Sequence, residues 1–315
     1  MLSRAATSLT LLGRQLERAD HLARILDVHL DLALDRADNS QSGFWSRLML
    51  LAGWTGVDID LREQAIELVA GGAAGPSVRR SVAAARSAAQ AVRPSLPSEL
   101  YEQINSLYWR VVEGSWDRDH HGFLMAVQLG VHLVEGLVED TMFHDEAREF
   151  VRLGKFLERL DNVVALVSLK SDELSEAGED SLDWTAVLKC AFAFESFRSR
   201  FPAPVTGEQV ARFLLLDPAL PRSAIFAADE ALNSVRRIDG ERVRARPARV
   251  LARISGLFRD PTAEVIDPRR LESEYRELAV QLTAALRAAY FQPGKVAATA
   301  PGDPSSRAPQ QQQQR

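Results

Sequence analysis

One nine-residue phrase is written twice in this chain. Leu12-Gly13-Arg14-Gln15-Leu16-Glu17-Arg18-Ala19-Asp20 returns 141 residues later as Leu153-Gly154-Lys155-Phe156-Leu157-Glu158-Arg159-Leu160-Asp161. Six of the nine positions are identical, and Arg14 against Lys155 keeps the charge. Other landmarks recur at similar spacing. Trp45 and Trp184 lie 139 residues apart, and Val92-Arg93 and Val235-Arg236 lie 143 apart. Thr206-x-x-Gln209 repeats the capping signal of Asp60-x-x-Glu63. A chain with this pattern is expected to fold as two related halves, 1–143 and 144–293, that share a core or form two.

The local pattern is helical. Leu9, Leu12, Leu16, Ala19, Ala23, Leu26 and Leu30 recur at three- and four-residue steps, which predicts a long amphipathic helix from Ser3 to Asp35. Asn39-Ser40-Gln41-Ser42-Gly43 breaks it, and an apolar helix over 44–54 follows. Gly71 to Pro76 ends a short third helix, Ser77 to Arg93 forms a fourth, and Pro94 and Pro97 separate it from a fifth near Ser98. Trp116 to Asp119 reads as a turn before a helix over 120–142. The second half follows the same order: a long helix over 145–174, an acidic loop from Glu176 to Asp183, and a buried segment opened by Trp184. A helix ending near Arg237 and two more, over 242–258 and 268–290, complete it. Strand-like alternation is scarce, so the expected fold is all-α, a pseudo-symmetric bundle of about ten to twelve helices. The tail 294–315 is rich in Pro, Ala, Ser and Gln and is expected to be disordered.

Composition narrows the functional classes. A net charge of −5 gives no basic excess of the kind that neutralises a nucleic-acid backbone. No apolar run reads as approaching the roughly 18 residues of a membrane span, and the N-terminus reads as amphipathic rather than as a signal peptide. The lone cysteine, Cys190, excludes an intrachain disulfide and suits a cytoplasmic setting. It stands in an apolar run and reads as a small buried hydrophobe.

Placed on a helix, the doubled phrase has a definite chemistry. Positions i, i+4 and i+7 share a face, so Gly13, Glu17 and Asp20 form one row and Gly154, Glu158 and Asp161 the other. Arg14 with Arg18, and Lys155 with Arg159, run beside them as basic rows. A glycine inside a helix costs roughly 0.5–1 kcal/mol against alanine, so two such glycines point to close approach of another backbone or a ligand. If the halves meet about a pseudo-twofold axis, Glu17 pairs with Arg159 and Glu158 with Arg18, and the charges set the register of packing. Alternatively, Arg14, Glu17, Arg18, Asp20, Lys155, Glu158, Arg159 and Asp161 line a polar cleft that binds a carboxylate or phosphate. A metal site is disfavoured, because His21 lies four residues after Glu17 while the second copy has Asn162 at the matching place. No phosphate loop and no nucleophile elbow is present. Arg242, Arg246, Arg249 and Arg253 give one helix a basic face suited to an acidic partner.

These motifs, in this order, resemble the bacterial alpha-E family. The resemblance rests on Leu12-Gly13-Arg14-x-x-Glu17-Arg18-Ala19-Asp20 and on Asp140-Thr141-Met142 leading to Leu153-Gly154-Lys155-x-x-Glu158-Arg159-x-Asp161. The Arg86 to Asn105 region, Phe213 to Asp217 and Pro221-Arg222-Ser223 support it, so that it spans roughly residues 1 to 290. Lys155 stands where the family has arginine, and Asp20 and Asp161 where Glu or Asp is seen. The resemblance implies one alpha-E domain made of both repeats, found beside circularly permuted ATP-grasp ligases and transglutaminase-like proteins. It further implies a role in an amide-forming system that makes a small peptide-like metabolite. The chain has no ATP-binding motif and no cofactor is expected, which agrees with activation by an ATP-grasp partner. Two readings follow: a helical partner or substrate-positioning subunit of that ligase, or a stand-alone enzyme with an amino-acid-like substrate in a Glu/Arg-lined cleft between the repeats.

Overall fold

The structure is a computed structural model that describes residues 1–35, 44–54, 61–72, 75–114, 119–177, 181–201, 204–240, 245–259 and 266–291. These residues form thirteen α-helices and no strand. The first half holds α1 (Ser3–Asp35), α2 (Phe44–Leu51), α3 (Arg62–Gly71), α4 (Val78–Ala91), α5 (Ser98–Glu113) and α6 (His120–Thr141). The second holds α7 (Glu146–Ala177), α8 (Ser181–Cys190), α9 (Phe194–Arg200), α10 (Gly207–Leu216), α11 (Ala224–Asp239), α12 (Ala245–Leu257) and α13 (Pro268–Leu286). The expected tail, the Asn39 to Gly43 break, Asp60 and Arg242 lie outside the described residues.

Short polar side chains start these helices. Ser77 and Ser223 accept from the backbone amides of Arg80 and Phe226, so α4 and α11 begin on matched serine caps. Asp119 caps α6 through Gly122, Thr206 caps α10 through Gln209, and Asp267 caps α13 just ahead of Pro268. Each such cap satisfies an amide that the helix itself leaves open, a gain of about 1 kcal/mol. Leu61 occupies the corresponding place before α3 and makes no side-chain cap. The helix α9 is the one element the sequence pattern did not suggest, and among the described residues the first half has no equivalent.

Element contacts repeat in the two halves. In the first, α1 packs on α2, α3, α4 and α6, while α5 bridges α4 and α6. In the second, α7 packs on α8, α10, α11 and α13, while α12 bridges α11 and α13. The long helices α1 and α7 then pack on each other, and one continuous apolar core runs through both sets.

Contacts between α1 and α7 climb together along both helices. The Met1 ammonium meets Glu146 at 2.9 Å, and Arg14 further up meets Asp161 at 3.2 Å, so the two helices run parallel. Glycines set how closely they approach. A Cβ on Gly13 would stand 2.0 Å from the Val151 carbonyl oxygen, and one on Gly154 would stand 2.0 Å from that of Thr10. Thr10 and Val151 each stand two residues before the doubled phrase, so the contact is reciprocal. Each glycine is required because backbone, not a movable side chain, fills the space where a Cβ would go.

The helix α6 has two faces. Phe123, Leu124, Val127, Val131, Val134 and Val138 face the core. Met125, Leu129 and Leu133, at four-residue steps, are exposed. By length and composition alone this helix would also pass as a membrane span. The expectation that no run approaches such a length thus has one exception among the described residues, His120 to Thr141, whose inner face packs in the core.

Candidate functional site

The doubled phrase places its charges at the α1–α7 contact. Arg159 donates Nε to Glu17 Oε1 at 2.8 Å and Nη2 to Oε2 at 2.6 Å, a two-point guanidinium–carboxylate pair. Across the contact Arg18 donates Nε to Glu158 Oε1 at 2.5 Å. These are the two pairings that a pseudo-twofold arrangement of the phrases requires. Glu17 and Glu158 thus each face an arginine of the opposite helix, and both are buried.

The two ends differ in what surrounds the pair. On the Glu158 side Arg14 reaches Asp161 at 3.2 Å and comes within 3.9 Å of Glu158 Oε2, which has no hydrogen-bond partner. The Tyr275 hydroxyl of α13 donates to Asp161. On the Glu17 side Arg222, just before α11, gives Nη1 to Glu17 Oε1 at 3.2 Å and to Asp20 Oδ2 at 3.3 Å. Arg24 gives Nη2 to both oxygens of Asp20, at 2.9 and 3.1 Å. His132 Nε2, from α6, lies 3.4 Å from Asp20 Oδ1. Lys155 stands apart and pairs with Glu135 of α6 at 2.9 Å. The eight residues singled out by the sequence therefore divide into two clusters flanking the contact, with Lys155 outside both.

The same carboxyl in the two phrases has opposite electrostatics. Burial pushes Glu17 up, but Arg159 and Arg222 outweigh it and hold its pKa at about 2. Burial also pushes Glu158 up, and there Arg18 and Arg14 do not offset it, so its pKa is raised. Asp20 is buried yet held well below the usual carboxylate range, because His132, Arg24 and Arg222 oppose the burial penalty. Burial lowers His21 to about 4 against the pull of Glu17 and Asp20, which keeps the imidazole neutral near pH 7. Burial, then Asp161, raises the Tyr275 phenol, so it stays a donor.

Above the Glu17 cluster lies an unusual residue. Phe192, just past α8, has φ +54° and is the one non-glycine residue with positive φ among the described residues. Its amide bonds to the Lys189 carbonyl and the Ala193 amide to that of Leu188. Past α2 the same pair of bonds runs from Gly53 to Leu50 and from Trp54 to Met49, with Gly53 at φ +86°. Both helices end in the left-handed turn that glycine normally supplies. Only one of them uses glycine, and a side chain there costs about 1–2 kcal/mol. The Phe192 ring is 59% exposed. Its centroid stands 4.2 Å from the Arg24 guanidinium carbon, 5.8 Å from that of Arg222 and 5.9 Å from the His132 ring centre.

Arg24, His132, Phe192, Arg222 and Tyr275 were absent from the sequence-based site. Arg24 was within reach of that reasoning, because it follows Asp20 by four residues on the same helix face. Phe192 had no local signal, since only the backbone reveals that it occupies a glycine position.

A parallel helix pair crossing at reciprocal glycines and tied by reciprocal Glu–Arg bonds defines a class: an all-helical bundle organised by a doubled Glu-Arg motif. The chain belongs to the Alpha-E family, whose model matches residues 1–291 and is described as a predicted alpha-helical domain with a conserved ER motif. Within α1 and α7 that dipeptide is Glu17-Arg18 and Glu158-Arg159. No curated protein and no solved structure matches the chain.

Proposed function

We propose that this chain is a helical partner, and substrate-positioning subunit, of a cytoplasmic ATP-grasp ligase that forms amide bonds on a small peptide-like metabolite, with both repeats acting as one domain. The partner's chemistry comes from the family resemblance. The observation that carries the partner role is the outer face of α6. Leu129 is 59% exposed and Leu133 51%, with Met125 one turn before them on the same face. An uncovered row of large apolar side chains on a helix is a characteristic partner surface. His132, which meets Asp20, follows Leu129 by three residues and Met125 by seven and so borders that row, which would place a protein seated there beside the buried charge cluster.

The test is co-purification with a circularly permuted ATP-grasp protein, together with ATP-dependent ligation that requires both proteins. The double substitution Leu129→Glu and Leu133→Glu is expected to abolish association while leaving helicity and Tm unchanged, because both side chains face solvent. Association that survives it would remove α6 as the contact.

One observation favours the stand-alone enzyme. Glu158 has a raised pKa and a buried Oε2 with no hydrogen-bond partner, which is the state of a carboxyl able to take up or release a proton. A Glu158→Gln variant that folds normally and retains full ligation activity with the partner present would exclude that role.

A further inference from the structure

The architecture needs the Glu17–Arg159 and Glu158–Arg18 exchange, but it does not need what surrounds Glu17. The second half shows this by comparison. The position 141 residues after Arg24 is Ala165, and that after His21 is Asn162. Arg222 precedes the serine cap of α11, whereas Pro76 precedes the matched cap of α4. The residue touching Asp161 is Tyr275, where His132 touches Asp20. Gly53 fills the backbone position that Phe192 fills under strain. Arg24, Arg222, His132 and Phe192 thus have no like counterpart on the Glu158 side, where Arg14 and Tyr275 stand instead.

The Glu17 side carries positive charge in excess. Arg24, Arg159 and Arg222 face two carboxylates, Glu17 and Asp20. Lys155 and Glu135 nearby cancel each other. Arg222 engages both carboxylates through a single nitrogen, Nη1, which leaves the remainder of its guanidinium fork for another acceptor. Strain of the Phe192 kind is retained where the surroundings use it, and here it holds a largely exposed ring against Arg24, Arg222 and His132.

We propose that Arg222 and His132, with the ring of Phe192 as an apolar wall and Arg24 behind it, bind the oxyanion group of a small molecule. The shared chemistry is a carboxylate or phosphate attached to a body that packs on the ring. This deepens the substrate-positioning part of the proposed function, and it is tested on the purified chain alone, so that it can fail while the partner contact stands, or stand while the contact fails.

The experiment titrates the full chain calorimetrically with inorganic phosphate and, separately, with L-glutamate, against chloride at equal ionic strength. Saturable binding of either probe, beyond any effect of chloride, is expected, and the stronger probe tells phosphate from carboxylate. Arg222→Gln is expected to weaken that binding at least tenfold, and Phe192→Gly at least threefold. Phe192→Gly restores the residue that the turn prefers, so loss of binding there cannot be attributed to misfolding. Absence of saturable binding to both probes, or unchanged affinity in Phe192→Gly, would overturn the site.

Discussion

At the scale of single residues, the informative contrast is between Glu17 and Glu158, the same letter in the same phrase. Glu17 has a two-point arginine and a second arginine bonded beside it, and Glu158 has a single bond from Arg18 Nε, Arg14 3.9 Å away and an oxygen without a hydrogen-bond partner. The consequence appears in acid. Glu17 has a folded pKa of about 2 against an ordinary 4.5, so its contribution is complete above pH 4.5 and is lost as pH falls towards 2. A shift of that size corresponds to roughly 3 kcal/mol. His21 acts in an earlier window with the same sign. Its folded pKa of about 4 lies below the ordinary 6.5, so protonation favours the unfolded chain as pH falls through that range. Urea midpoints measured from pH 7 to pH 3 are therefore expected to fall in two stages, with Glu17→Gln flattening the later one. An unchanged slope below pH 4.5 in that variant would show that Glu17 is not the group responsible. The Glu–Arg partnership was legible in the sequence because duplication plus helical spacing leaves few alternatives. Its inequality was not, because Arg222 lies 205 residues from Glu17 and nothing local announces the contact.

At the scale of elements, the parallel pair α1 and α7 depends on two missing methyl groups. Gly13→Ala or Gly154→Ala places a Cβ 2.0 Å from a carbonyl oxygen of the other helix, and the helices must part to accept it. Alanine is the better helix former, so a gain of roughly 0.5–1 kcal/mol would be expected if the helix stood alone. Overpacking of a well-fitted contact costs about 1–3 kcal/mol, and backbone against backbone has little room to relax. Destabilisation is the expected net result in both variants, read as a lowered denaturant midpoint with unchanged helicity, and a stabilised variant would contradict the close crossing. The long helices and their approximate boundaries could be read from apolar spacing, and one cap, Thr206, from its capping signal. The caps at Ser77, Asp119, Ser223 and Asp267 emerge only with the backbone. The short α9 could not. Phe194–Arg200 spans only seven residues, too few for periodicity to separate helix from turn.

At the scale of the whole molecule, the α1–α7 contact has the form of an isologous interface. Each helix offers the other the same glycine, glutamate and arginine, so that the α1–α7 contact is built like the interface of a twofold dimer. A surface complementary to its near-copy is also close to complementary to itself. The segment 1–143 expressed alone would expose Gly13, Glu17 and Arg18 with α7 absent, and a second molecule can offer the same three residues in return. Two such segments are expected to elute together as a dimer in size-exclusion chromatography, with Gly13→Ala shifting them towards monomer. The groups around Glu17 then acquire a simple meaning. Within one chain the two sides need not match, so a framework on one side can stand beside Arg24, His132, Phe192 and Arg222 on the other.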